Sequence, residues 1–168
     1  GFYEPTYGMN YNPAYYRELF EHYGFQPYYR QFTYYRHVHT ALPDKYRKKA
    51  DKISDDPNYR FQHIDKKRLP LYAEHFRQVY NRAWSERSDF KPMSREQAMK
   101  IMESLKPVLV EELVWFGYYN NDPVSFFIMM PELNQVFKHF NGRFGWWEKL
   151  KFKWHEWRGT CRKMFGLV

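Results

Sequence analysis

The sequence predicts an α+β domain: a mixed, mainly antiparallel sheet with flanking helices. Three observations carry this. Two helical stretches, RLPLYAEHFRQVYNRAW and SREQAMKIMESL, both follow a single alternating segment, YRFQHID, before any second strand arrives. Two strand-like runs then flank Asn120-Asn121-Asp122, a turn short enough to force an antiparallel hairpin. From Tyr59 the order is therefore strand, helix, helix, strand, strand, connector, strand.

The elements follow in chain order. NPAYYRELFEHYGF predicts a helix: Asn12 suits the cap, Pro13 the first turn and Gly24 a left-handed exit, with Tyr16, Leu19, Phe20 and Tyr23 on one face. QFTYYRHV, residues 31–38, is rich in aromatic and β-branched residues and predicts a strand. Residues 39–58 are polar and crowded with charge, a linker holding a short helix around residues 45–53. Tyr59 to Asp65 alternates as a half-buried strand. Leu69, Tyr72, Phe76, Val79, Tyr80 and Ala83 then form one helical stripe. After a loop, Ser94 and Gln97 have the spacing of a capping box, opening a helix with Ala98, Ile101, Met102 and Leu105 inward. The hairpin strands run over residues 112–119 and 123–130. PELNQVFKHFNG predicts a short helix closed by Gly142. A basic connector with Trp146, Trp147 and Trp154 leads to a last strand over residues 157–168.

Composition narrows the function classes. At 168 residues the chain has the length of one domain, or one domain with an attached piece. Its 16 Tyr and 15 Phe are too many to bury entirely, so rings must reach the surface. A single Cys161 allows no internal disulfide framework and points to a reducing, cytoplasmic setting. No apolar run is long enough to span a bilayer, and no signal-peptide pattern is present. The net charge is +8, and most of it is local: residues 138–163 hold eight Lys or Arg against Glu148 and Glu156. Such a field attracts an anionic partner. Basic residues among tryptophans suit a nucleic-acid backbone, an anionic membrane surface, or a packed connector. The packed connector is the leading expectation; nucleic acid comes after it, since no RNA- or DNA-binding motif accompanies the segment, and a membrane surface comes last. His37 and His39 would share a strand face, but no third or fourth ligand accompanies them, so no metal site is expected.

Three stretches together resemble the GCN5-related N-acetyltransferase superfamily, in its bacterial form with two lobes in tandem. They are NPAYYRELFEHYGF with the Tyr-rich segment after it, YNRAWSERSDFKPMSREQ, and LKPVLVEELVWFGYYNNDPVSFFIMMPELNQVFKHFNG through to the last strand. The resemblance implies an acyl-CoA N-acyltransferase-like fold, incomplete at its C-terminal side. Residues 1–38 would be the end of a first lobe, 39–58 a linker, and 59–168 the front half of a second. It also implies transfer of an acyl group from acetyl-CoA to a small-molecule or peptide amine in a parent protein. That superfamily's pyrophosphate loop has no counterpart among the eight glycines. The chain alone is thus expected to be inactive and to bind acetyl-CoA weakly or not at all.

The acceptor pocket that the resemblance implies draws on Asn81, Trp84, Glu86, Phe90 and Met93 from the first helix and its loop. Pro131, Asn134 and Asn141 would join from the strand exit and short helix. Five of them also have a plainer reading: Asn81 and Trp84 as a helix-end packing pair, Asn134 and Asn141 as helix-end partners, and Glu86 as a solvated loop carboxylate. Two further expectations stand: a homodimer paired through the open edge of the last strand, and a non-catalytic interaction module using residues 138–163.

Overall fold

The computed structural model describes residues 4–6, 8–159 and 164–167. They form two compact units, one of Gly1–Arg47 with Leu133–Thr160, the other of Lys48–Glu132 with Cys161–Val168.

The second unit is the α+β body. Strand β1 (Tyr59–His63) is followed by a 3-10 turn and helix α3 (Leu69–Trp84), then by helix α4 (Arg95–Leu105). Strands β2 (Val114–Tyr119) and β3 (Asp122–Pro131) make the hairpin, and β4 (Met164–Leu167) completes a four-stranded sheet in the order β1-β2-β3-β4. Every neighbouring pair is antiparallel. The fold class read from the sequence is the one observed.

Local chemistry explains the boundaries. Pro70 sits in the first turn of α3, where its missing N–H costs nothing. Ser94 Oγ accepts the Gln97 N–H at 3.1 Å while Gln97 Oε1 accepts the Ser94 N–H at 2.8 Å, completing the capping box of α4. Asn120 and Asn121 both take positive φ, 49° and 69°, between the paired residues Tyr119 and Asp122. That is the two-residue turn whose twist matches an antiparallel hairpin, and Asn tolerates it better than most L-residues.

The core lies between the inner sheet face and α3 with α4. Val114, Phe116 and Tyr118 alternate inward from β2; Ile128 and Met130 do so from β3; Tyr72, Ala73 and Met102 meet them from the helices. Full burial of Ile64, Phe116 or Met102 is worth about 1.5–3 kcal/mol each. The ladder between β2 and β3 shifts register between Gly117 and Tyr118: Gly117 faces Ser125, whereas Tyr118 faces Pro123. Val124 is the extra residue. The bulge keeps buried Pro123 on the face of Phe126, Ile128 and Met130 despite the odd spacing. On the outer face, a Cβ built at Gly117 would stand 2.4 Å from Ser125 Oγ and 3.0 Å from the Phe61 ring. The bulge therefore closes on a residue without a side chain.

The first unit contains helix α1 (Tyr16–His22), helix α5 (Asn134–Phe137) and helix α6 (Trp146–Trp157). Helix α1 begins later than Asn12 and Pro13 suggest, with Tyr15 at the cap position and no side-chain cap, while Gly24 makes the expected left-handed exit at φ 101°. Helix α2 (Asp44–Ser54) matches the short helix expected in the linker.

Three readings are corrected. Residues 31–38 form no strand; aromatic, β-branched composition yields a strand only where a neighbour pairs the backbone, and among the described residues none does. The shared strand face of His37 and His39 goes with it. The basic Trp-rich connector, for which the sequence predicts no element, is largely α6. Among the described residues the last strand covers Met164–Leu167, and Trp157 belongs to α6 instead; residues 160–163 and 168 of the expected strand, with Cys161, lie outside the described residues.

Candidate functional site

The expected acceptor-pocket residues fall in both units. Asn81, near the end of α3, uses its side chain at both ends: Nδ2 donates to the Met93 carbonyl at 3.0 Å and Oδ1 accepts the Met93 N–H at 2.8 Å. This amide clamp holds the loop of residues 85–94 back onto the helix. Tyr80 lies 6.1 Å from both Trp84 and Phe90, joining them in one ring cluster, and the Arg87 guanidinium sits 4.9 Å over Trp84. Glu86 is exposed on the same loop, and Pro131 ends β3 opposite Met164. The structure thus brings Asn81 and Met93 into contact and groups Trp84 with Phe90. In the first unit, Asn134 Nδ2 donates to the Pro5 carbonyl at 3.0 Å, and Asn141 takes φ 48° before Gly142 at φ 74°. Asn134 thus binds a backbone group far away in sequence, and Asn141 takes part in the turn that ends the short helical segment.

A second constellation, absent from the sequence reading, sits where α3 crosses the sheet. Tyr72 and His75 occupy neighbouring positions on α3, one helical turn apart. Gln62 comes from β1, and Tyr118 from β2 is the cross-strand partner of Arg60. His75 Nδ1 lies 2.9 Å from Tyr118 Oη. Gln62 Nε2 donates to Tyr72 Oη at 3.1 Å and to Tyr118 Oη at 3.4 Å. The Arg60 guanidinium covers the Tyr118 ring at 4.2 Å and donates to Gln62 Oε1.

Burial sets the protonation of this group. It lowers the pKa of His75, partly opposed by the nearby Glu74 carboxylate, so the imidazole is neutral at physiological pH. Burial likewise raises the Tyr118 phenol, which stays protonated. With its hydrogen on Nδ1, His75 donates to Tyr118 and leaves Nε2 as an acceptor. With the hydrogen on Nε2, the phenol donates to Nδ1 instead. In the first arrangement Nε2 can accept a proton, and the imidazolium so formed still donates from Nδ1 to Tyr118 Oη. Tyr118 is 1% exposed and His75 is half-buried, so His75 is the more open member of the pair.

Beside it, Glu74 is committed elsewhere. Its carboxylate accepts two bonds from Arg77 at 2.7 and 3.0 Å and one from Gln78 at 2.9 Å, and Arg95 from α4 approaches to 3.3 Å. Arg77 first, then Gln78, hold its pKa at about 2. It is ionised throughout the physiological range and so unsuited to act as a base. A shallow depression of about 290 Å³ lined by Pro70, Ala73, Glu74, Arg95 and Met99 lies here, between α3 and α4.

Comparison with known proteins points away from the family that the sequence resembles. The chain is similar to a bacterial ceramide synthase from Caulobacter vibrioides (strain NA1000 / CB15N), 26% identical over 86 residues. The match covers 49% of this chain and 22% of the relative, so it spans about a fifth of that protein. No family model and no solved structure matches. The resemblance to GCN5-related acetyltransferases does not hold: the similarity found is to a ceramide synthase, and nothing points to an acetyltransferase. The stretches that carried it also have local explanations, since residues 31–38 are no strand, Asn81 clamps a loop and the connector is largely a helix.

Proposed function

We propose that this chain is part of an enzyme that forms an amide between a fatty acyl group and the amine of a long-chain base. The observation that carries the reading is the similarity to a ceramide synthase over half of the chain, a ceramide being such an amide. The acyl donor in this reading is a thioester such as an acyl-CoA. The amine nitrogen bonds to the acyl carbon as the carbon–sulfur bond breaks. The proton shed by the nitrogen passes to His75 Nε2, and a proton returned through His75 accompanies the departing thiolate. Burial suits His75 to this role by keeping it neutral before the reaction. Tyr118 is a positioning residue, orienting the ring through Nδ1. The rings of Tyr80, Trp84 and Phe90 offer apolar surface to a long chain.

The test is expression of the complete reading frame in a bacterium without sphingolipids, fed a long-chain base, with lipid extracts read by mass spectrometry. An N-acylated base is expected. His75→Ala should lower its yield by about 10²-fold or more. Tyr118→Phe, which keeps the ring but not the hydroxyl, should shift the pH profile. No amide from the parent protein would overturn the reading; full activity of the His75 variant would overturn the role given to that residue.

A further inference from the structure

Helix α6 turns to solvent a face that water does not favour. Trp146, Trp147 and Trp157 are 81%, 75% and 82% exposed, and Leu150 and Trp154 are open beside them. At about 100° per residue these five side chains fall within roughly a 100° arc of the helix. Lys149 borders that arc on one side and Lys151 on the other. The opposite face does the packing: Phe152 meets the Phe137 ring at 5.6 Å, and Glu148 accepts the Gly145 N–H at 2.9 Å. The tryptophan stripe is thus not what anchors the helix in its unit.

We infer that this stripe docks on an anionic lipid bilayer, with α6 lying in the headgroup plane. The inference stands apart from the acyl-transfer reading and does not depend on it. An indole combines a large apolar ring with one N–H donor, the combination favoured at the boundary between acyl chains and headgroups. Lysines at the rim can lay their methylenes along the apolar surface and reach lipid phosphates with their ammonium groups. The charge is complementary, because residues 138–163 hold eight basic side chains against two acidic ones. Twelve residues make a helix of about 18 Å, too short to span the hydrocarbon layer but suited to lying on it. A single-stranded nucleic acid presents bases and phosphates side by side, which asks for rings and cations mixed on one face. Here the rings are contiguous around Leu150 and the cations lie at the margins, Lys149 and Lys153 on one side and Lys151 and Arg158 on the other, the Arg158 guanidinium 4.3 Å over the Trp154 ring.

The experiment mixes the 168-residue chain with phosphatidylcholine vesicles, with and without about one third phosphatidylglycerol. Co-sedimentation measures binding. Tryptophan emission reports its site, since four of the six tryptophans lie on α6. Expected are pelleting with the anionic vesicles, a blue shift on binding, and weakening by salt. Lys149→Gln and Lys151→Gln should each lower partitioning by about fivefold. Trp146→Ser with Trp157→Ser should lower it by about tenfold or more while circular dichroism stays unchanged. The inference is overturned if anionic vesicles do not pellet the chain, or if the tryptophan variant binds as its parent does. A blue shift that grows with protein concentration without lipid, or binding to oligonucleotides in place of vesicles, overturns it equally and assigns the face to a second copy or to nucleic acid.

Discussion

Replacing Glu74 with Gln tests how α3 is tied to α4. The carboxylate serves Arg77 and Gln78 on its own helix and Arg95 on the next, and these contacts lower its pKa from 4.5 to about 2. At about 1.4 kcal/mol for each decade of pH, the full displacement corresponds to roughly 3 kcal/mol. That is a ceiling. The Glu74 side chain is 24% exposed and that of Arg95 82%, so water screens much of the attraction. About 1–1.5 kcal/mol is the expected loss at neutral pH. The sign follows from linkage: a carboxylate whose pKa is lowered by folding stabilises the native state above its unfolded value near 4.5, and that contribution disappears as pH falls toward 2. Urea unfolding of the parent and Glu74→Gln at pH of about 7, 4 and 2.5 should therefore show a gap that is widest at neutral pH and narrows below about 4.5. A gap unchanged across that range, or none at neutral pH, would refute the reasoning.

Other outcomes follow from the same structure. Asn81→Ala removes both ends of the clamp on Met93 and should cost about 1–3 kcal/mol, with faster proteolysis confined to the 85–94 loop; cleavage spread evenly along the chain would count against a local clamp. Asn121→Gly relieves a side chain at φ 69° in the two-residue turn and should raise stability by up to about 1 kcal/mol in a thermal melt, whereas a lower melting temperature would contradict the turn geometry. Among the described residues β4 is paired only to β3, so its other edge is open to a second copy; light scattering should show mass rising with concentration, and a constant monomer mass would dismiss that pairing.

Much of the α+β body was legible because its signals are local. The Ser94–Gln97 spacing and the Asn120-Asn121 turn each determine backbone geometry within a few residues, and Leu69, Tyr72 and Val79 of the α3 stripe are buried as their spacing implies, although Ala83 at its end is exposed. Even there Ile101, placed inward by its spacing, is 37% exposed, while Ala98 and Met102 are the α4 residues that are buried. The failures are non-local. Residues 31–38 have strand composition but needed a partner, and α6 was hidden because alternating lysines disguise a tryptophan stripe as a charged connector. His75 and Tyr118 meet across 43 positions, and a histidine one turn from Tyr72 on an inward face reads as ordinary packing until the sheet brings the phenol to it. Wording shared with an acetyltransferase misled for a related reason: residues that clamp a loop or end a helix look the same in sequence whether or not they line a pocket.

The shifted ladder between β2 and β3 means that β3 carries one residue more than its pairing uses. Loss of a residue from a strand ordinarily reverses every side chain beyond the cut. At Val124 it would not: Pro123 would still point inward opposite Tyr118, Ser125 would still point outward opposite Gly117, and the hairpin would lose only its local kink. The same deletion at Phe126 would turn Ile128 and Met130 out of the core. The strand thus has one position where its length can change without scrambling its two faces, and the residue there is exposed.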